Sequence, residues 1–99
     1  MLKEKIYKNL KKVPKGKVIT YKELAKSCGS KAYRFVGTCM KENKNPKEIP
    51  CYKVVRSDGK IGNYSSSGGI NGKINLLEKD GIKVSNGRVD LKRYGWRFI

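Results

Sequence analysis

Hydrophobic positions recur at helical spacing along the first dozen residues, and lysines fill most positions between them. This pattern predicts an amphipathic helix over residues 2–12, which Pro14 and Gly16 then end. A short extended segment, Val18-Ile19, follows the helix. The apolar face of the predicted helix consists of Leu2, Ile6, Leu10 and Val13.

Two further helices are predicted close together. A T-x-x-E capping box at residues 20–23 starts a helix through about Ser27. Gly29 makes a turn, and Ser30 caps a third helix over about 31–41. Two short helices joined in this way are typical of a helix-turn-helix motif, whose second helix contacts a groove of nucleic acid. The basic residues of that second helix are Lys31, Arg34 and Lys41.

The second half of the chain mixes loops with short elements. Residues 41–51 are polar with two prolines, which predicts a constrained loop leading into apolar Val54-Val55. Residues 57–69 form a long Gly/Ser-rich loop, and long loops in compact domains are often functional. A helix near 71–80 follows. Asn86-Gly87 predicts a β-hairpin, because both turn positions favour positive φ, and the aromatic tail RYGWRFI should pack back on the body.

Composition narrows the class of protein. A chain of 99 residues is one domain's worth of sequence. Lys plus Arg is 24 and Asp plus Glu is 8, so the net charge is +16. Such an excess favours a polyanionic partner, although a lysine-rich solvated surface is the alternative, and charge alone does not separate DNA, RNA and acidic membranes. No apolar run approaches ~18 residues, so we expect no membrane-spanning helix.

The chain contains three cysteines and no histidine. The absence of histidine excludes histidine-based triads and most catalytic zinc sites. The odd, irregularly spaced cysteines and the lack of an export signal favour a reducing compartment, with Cys28 and Cys39 in the core. Cys51 is different because nearby cations favour the nucleophilic thiolate, whereas a buried inert thiol is the alternative. Its neighbours in sequence are Pro50, Tyr52, Lys53 and Arg56.

Several ordered motifs carry a family resemblance. IPCYKVV followed by SDGKIGNYS resembles the active-site region of the O6-alkylguanine-DNA alkyltransferases, or methylated-DNA–protein-cysteine methyltransferases, whose usual motif is Pro-Cys-His-Arg-Val. VPKGKVITYKELAK and RFVGTCMKEN are similar to that family's helix-turn-helix, whose second helix normally begins Arg-Ala-Val-Gly. The resemblance runs from about residue 5 to 98 and covers the family's DNA-binding and catalytic domain.

The resemblance and the predicted elements together imply a fold class. We expect a mostly α domain with small β elements, a winged helix-turn-helix-like DNA-binding domain with a C-terminal β-hairpin. Residues 1–99 would form this single domain, with the helix-turn-helix at about 21–41 and the active-site region at about 43–69.

The resemblance also implies direct reversal of DNA damage inside the cell, where the DNA is. The protein would act as a monomer from the minor groove, flip O6-alkylguanine out of duplex DNA, and transfer the alkyl group irreversibly to Cys51. No cofactor and no metal are implied. Arg34 would fill the gap in the base stack, with Lys31 and Lys53 also contacting DNA. The implied substrate-contacting residues are Tyr21, Met40, Asn43, Val54, Tyr64 and Ser65.

The sequence departs from the family pattern beside the cysteine. Tyr52 stands where the family has the histidine that takes the cysteine proton, and Asp80 lies near the place of the glutamate that orients it. A phenol with a reference pKa of about 10 is a poor base near pH 7. Two routes to a thiolate remain open, namely a Cys51–water–Tyr52–Asp80 chain and the positive field of Lys53 and its neighbours. Phe35 also replaces the small residue that follows the family's arginine.

Two other functions are compatible with these motifs. One is a lesion-recognition module that binds alkylated DNA without transfer; relatives of that kind generally lack the cysteine and often have tryptophan there. The retained Cys51 favours transfer. The other is a winged-helix transcription factor, which would have no reason for an Ile-Pro-Cys motif followed by a Gly/Ser-rich loop.

Overall fold

A computed structural model describes residues 2–45, 47–61 and 69–98. Helices dominate, and the two small sheets have two strands each. The predicted fold class is therefore confirmed. Across the described ranges, no helix combines the length and the apolar character needed to cross a membrane. The elements in chain order are α1 (Leu2–Leu10), β1 (Ile19–Thr20), α2 (Tyr21–Ser27), α3 (Tyr33–Glu42), a 3₁₀ turn (Cys51–Lys53), β2 (Val54–Val55), α4 (Gly69–Lys79), β3 (Val84–Ser85), β4 (Arg88–Val89) and α5 (Leu91–Tyr94).

The first three helices surround one apolar cluster. The predicted inner face of α1 is confirmed, because Ile6, Leu10 and Val13 are buried and Leu2 packs at the edge of the cluster. We call this the first cluster. Its buried members are Ile6, Leu10, Val13, Ile19, Leu24, Ala25, Val36, Cys39, Met40, Cys51 and Val54.

The helix-turn-helix forms where the capping signals place it. The Thr20 side chain accepts a hydrogen bond from the backbone N–H of Glu23 at 3.1 Å, as the capping box predicts. Gly29 adopts a φ of +70°, which allows the chain to reverse after α2. The third helix starts later than predicted, at Tyr33, because Ser30 accepts a bond from the Ala32 N–H in the turn.

A parallel pair of short strands joins the helix-turn-helix to the cysteine segment. Ile19 in β1 is in register with Val54 in β2, and Thr20 with Val55. The start of α2 is therefore fixed next to the residues that follow Cys51. The tail packs back on the body as predicted, because Trp96 donates its backbone N–H to Val18 at 2.8 Å. The short helix α5 in that region was not predicted.

The C-terminal half covers a second apolar cluster. The predicted hairpin is confirmed, with φ of +54° at Asn86 and +71° at Gly87 between β3 and β4. Helix α4 begins at Gly69, slightly before the predicted start, and buries Leu77 against the hairpin side of the domain. We call this the second cluster, and its buried members are Val18, Val55, Ile61, Leu77, Ile82 and Val89.

Candidate active site

Cys51 begins the 3₁₀ turn and lies at the edge of the first cluster. Its backbone N–H donates to the Ile49 carbonyl at 2.7 Å, and the Lys53 N–H donates to the Pro50 carbonyl at 3.0 Å, so both ends of the turn are bonded to the segment before it. Val54, the first residue of β2, in turn donates its N–H to the Cys51 carbonyl. Only 4% of Cys51 is exposed, so a reagent reaches the thiol through a narrow opening or after a local movement.

Asn43 braces the segment immediately before the cysteine. Its side-chain Nδ2 donates to the carbonyl of Ile49 at 2.8 Å, and its Oδ1 accepts from the Asn45 N–H at 3.0 Å. Asn43 follows the last residue of α3. The amide therefore ties the end of α3 to the loop that carries Cys51, and a hinge role for Asn43 stays a prediction.

The structure brings Tyr21 and Met40 to the same cluster as Cys51. Burial raises the pKa of the Tyr21 phenol, an ionised Cys51 nearby raises it further, and Arg56 partly offsets both effects. Tyr21 therefore keeps its proton near pH 7 and can donate a hydrogen bond. Its ring lies beside α3, since a Cβ added at Gly37 would be 3.9 Å from Tyr21 Cε1.

Lys73 is a buried amine that the sequence analysis did not identify. It lies in the middle of α4 and is only 1% exposed. Its Nζ donates to the Val54 carbonyl at 2.8 Å and to the Ile61 carbonyl. Burial lowers the pKa of Lys73 to about 8, and the negative charge of an ionised Cys51 acts in the opposite direction. No sequence signal separates this lysine from the many solvated lysines around it.

Lys53 does not face DNA, so that prediction is wrong. The residue is 5% exposed, and its Nζ lies 3.1 Å from Asp80 Oδ2. The same Nζ donates to the Pro14 carbonyl at 2.9 Å. A lysine so placed stabilises the interior instead of reaching a phosphate. The paired carboxylate also largely cancels its charge, so Lys53 adds little to the field at the thiol.

Asp80 has a structural partner in place of the predicted catalytic one. Besides the Lys53 ion pair, its Oδ2 accepts a hydrogen bond from the Gly16 N–H at 3.1 Å. Tyr52 packs against the second cluster, whereas Cys51 belongs to the first. Because the Asp80 carboxylate is bonded to Lys53 and Gly16, it does not support the Cys51–water–Tyr52–Asp80 chain. A role for Tyr52 remains a prediction.

The remaining predicted residues fall into two groups. Val54 is buried, and its carbonyl, which has two lone pairs, is already bonded to Lys73. Tyr64 and Ser65 lie outside the described residues. Within the described ranges, no group of three or more acidic or cysteine side chains could hold a metal ion.

The N-terminal end of α3 presents basic and aromatic side chains to solvent. Lys31 and Arg34 are exposed. Next to Arg34 on either side are two aromatic residues that are unusually exposed for their size, Tyr33 at 50% and Phe35 at 38%. In the sequence, Phe35 stands out only as a departure from the family pattern, and no motif marks Tyr33. This end of the second helix is the part that such motifs place in a groove.

Comparison with known families identifies the class of the chain. Residues 1–82 match the family model described as 6-O-methylguanine DNA methyltransferase, DNA binding domain. The chain belongs to this family. The matched region includes both the helix-turn-helix and Cys51, which confirms the resemblance seen in the sequence motifs.

Relatives of this methyltransferase family share nearly half of the aligned residues. A bifunctional methyltransferase/endonuclease of Picrophilus torridus is 48% identical over 90 residues, which cover 90% of this chain and 30% of that protein. A methylated-DNA–protein-cysteine methyltransferase of Rattus norvegicus is 47% identical, covering 78% of this chain and 37% of that protein. The chain thus spans about a third of the length of these relatives.

Solved structures of two kinds match the fold. Schizosaccharomyces pombe Atl1 in complex with damaged DNA containing O6-carboxymethylguanine matches with a TM-score of 0.87 and 28% identity, covering 97% of this chain and 94% of that chain. The O6-methylguanine-DNA methyltransferase of Pyrococcus kodakaraensis matches with a TM-score of 0.72 and 46% identity, covering 81% of this chain and 46% of that chain. The match to Atl1 covers more of both chains and has the higher TM-score, whereas the match to the Pyrococcus methyltransferase has the higher sequence identity.

Proposed function

We propose that this chain repairs O6-alkylguanine in duplex DNA by transferring the alkyl group to Cys51. The observation that carries the proposal is the grouping of a retained cysteine with Tyr21 and Met40 in one cluster, on a loop that Asn43 braces. The methyltransferase relatives, which share up to 48% of aligned residues, support the same chemistry.

The transfer is a displacement at the alkyl carbon. The thiolate of Cys51 forms the sulfur–carbon bond as the carbon–O6 bond breaks, and the electron pair of the broken bond stays on the purine oxygen. The proton lost by the thiol passes to solvent, and the purine takes up a proton as it leaves as ordinary guanine. Tyr21 keeps its proton near pH 7, so its hydroxyl can donate a hydrogen bond to the purine. The resulting thioether is stable, so each molecule acts once.

The N-terminal end of α3 is the proposed DNA-contacting surface. A base inside the stack is out of reach of a buried thiol, so the guanine must be extruded and a side chain must occupy its place. Arg34 is exposed at this end and is the proposed occupant, and Lys31 is placed to contact a phosphate. The net charge of +16 suits such a polyanion. We place the approach in the minor groove, where the base pairs present similar hydrogen-bonding groups. A protein that searches for a lesion in any sequence can therefore bind there without a preference for particular base pairs.

A second candidate function is recognition of the lesion without transfer. The observation that favours it is the nearly full-length match to S. pombe Atl1, whose structure contains damaged DNA. That match extends over 94% of the Atl1 chain, whereas the methyltransferase structure continues well beyond the matched part. Retention of Cys51, on a loop that Asn43 braces, favours transfer over recognition alone.

Loss of the lesion from DNA distinguishes the two functions. A DNA duplex with one O6-methylguanine is incubated with increasing protein and digested to nucleosides, and the remaining O6-methyl-2′-deoxyguanosine is measured by mass spectrometry. We expect one lesion lost per protein molecule, and no loss with Cys51→Ser, although that variant should still bind the duplex. Tight binding by the wild-type protein with every lesion retained would show that recognition, not transfer, is its function.

A further inference from the structure

We propose that Tyr33 and Phe35 determine which sequence contexts the protein favours, by inserting as apolar wedges at the base steps beside the extruded nucleotide. Lesions with an easily unstacked neighbouring step are then bound more tightly than lesions without one. The inference deepens the proposed function and rests on its ligand, a lesion-containing duplex. It does not depend on transfer to Cys51, so it can be tested in protein that makes no transfer.

Within its described residues, the fold gives these two rings no packing role. Tyr33 is 50% exposed and Phe35 is 38% exposed, whereas Val36, the next residue of α3, is fully buried. Neither ring is among the apolar side chains that form the first or the second cluster or pack against them. Replacing the two rings should therefore change the stability of the domain little.

The geometry of α3 places the two rings on either side of Arg34. Successive residues of an α-helix are about 100° apart around its axis. Val36 and Cys39 lie on the buried face of α3, so Arg34 lies near the centre of the opposite, exposed face. Tyr33 and Phe35 then occupy the two flanks of that exposed face. A duplex that accepts Arg34 into its base stack therefore meets a ring on each side of it.

The charges around the rings favour a nucleic acid as the occupant of this surface. The chain has no acidic residue between Glu23 and Glu42. The cations in that interval are Lys26, Lys31, Arg34 and Lys41. An anionic membrane surface also attracts lysines, but a helix that lies in it needs an apolar face along its length. The next exposed residues of α3 after Phe35 are Thr38 and Lys41, so the exposed apolar surface ends within the first turn.

The rings are too large for an undistorted minor groove. That groove is about 6 Å wide, whereas a helix with its side chains is about 10–12 Å across. Apolar side chains that enter from this groove separate base steps and kink the duplex by roughly 20–90°. The kink costs less at pyrimidine–purine steps, because these steps unstack easily. The surface of α3 therefore favours a lesion beside such a step without reading the edges of its bases.

The test compares the affinities of two duplexes, each with one O6-methylguanine, which follows thymine in one duplex and adenine in the other. Only the first has a flexible pyrimidine–purine step on that side of the lesion. Binding is measured by fluorescence anisotropy in Cys51→Ser protein, so that no transfer to Cys51 competes. We expect about fivefold tighter binding to the first duplex, and a difference below about twofold when Tyr33→Ala/Phe35→Ala is added. Any effect of the neighbouring base on extrusion itself is the same for both proteins and cancels in this comparison.

Two control variants and a bend measurement separate a wedge from a general effect of the substitutions. Tyr33→Leu/Phe35→Leu keeps large apolar side chains and should keep the preference, since leucine also serves as a wedge. Ile70→Ala removes a side chain that is 48% exposed in α4 and should leave the preference unchanged. Energy transfer between dyes at the two duplex ends should show a bend that is smaller by roughly 20° or more in the alanine variant.

The proposal is overturned if the protein with both rings shows no preference, if the alanine variant keeps the full preference, or if the bend is the same in both. Loss of the preference in the leucine variant would also contradict a wedge. Each of these results, obtained with tight lesion binding, rejects this inference alone. Absence of alkyl transfer in the wild-type protein leaves the binding readouts unaffected, so it rejects the proposed transfer and not the wedge.

Discussion

Replacing Arg34 by alanine is expected to slow transfer from duplex DNA by about a hundredfold or more. Extruding a paired base costs a few kcal/mol, and each 1.36 kcal/mol of lost stabilisation slows the reaction about tenfold. Transfer from free O6-methylguanine needs no extrusion, so its rate should change by less than about twofold. The measurement compares single-turnover rates of the same variant on a lesion duplex and on the free base.

Lys31→Ala is the matched control for Arg34. Lys31 is exposed just before α3 and is proposed to contact a phosphate, not to enter the stack. Its loss should weaken binding to damaged and undamaged duplex alike. The slope of the logarithm of the binding constant against the logarithm of salt concentration should become shallower by about one. If Arg34→Ala slowed the reaction on duplex and on free base equally, the arginine would be acting on the site and not on the base stack.

Replacing Asp80 by alanine is expected to reduce the free energy of unfolding by about 3–5 kcal/mol, because it leaves a buried lysine charge without its partner. Lys53 and Asp80 are both largely inaccessible and lie 3.1 Å apart. The loss should appear in urea unfolding at pH 7. Glu78→Ala, an exposed position in α4, should change stability by no more than about 0.5 kcal/mol.

The double variant Lys53→Met/Asp80→Leu provides the second arm of that experiment. Replacing a buried ion pair by apolar groups of similar volume is often neutral, so this variant should recover most of the lost stability. The opposite pattern, full stability in Asp80→Ala together with slow transfer, would restore Asp80 to the proton chain and contradict the structural role.

Local signals in the sequence predicted most elements of the fold. The capping box at Thr20 and the Asn86-Gly87 turn are confirmed because both depend on backbone groups within a few residues. The pairing of β1 with β2 is not local, since Ile19 meets Val54 from the other half of the chain. Two-residue strands carry too little periodicity to reveal such a partner.

The errors at the candidate site concern lysines. A lysine in a basic chain is expected at the surface, and that expectation fails for Lys53 and Lys73 because each finds buried oxygen partners far along the sequence. Apart from the Asp80 carboxylate beside Lys53, these partners are backbone carbonyls, which no side-chain motif marks. Cys51 and Met40 lie in one cluster with Tyr21 packed against it, and only the family resemblance, not periodicity, links these three residues in the sequence. Their roles stay predictions.

The exposed aromatics of α3 are a property of this chain that the family motif does not explain. The motif has a small residue after the arginine, and Phe35 places a ring there, with Tyr33 on the other side. Apolar side chains at such positions can wedge between base steps of a minor groove. Their exposure is consistent with a DNA-facing role for this end of the helix.

The central claim is that Cys51 receives the alkyl group, and peptide mapping tests it most directly. The protein is mixed with an equal amount of duplex carrying one O6-methylguanine, digested, and analysed by tandem mass spectrometry. The account predicts one methyl group per molecule, located on Cys51 and absent from Cys28 and Cys39. An unmodified Cys51 in protein that has bound the lesion, or a methyl group on another residue, would contradict it.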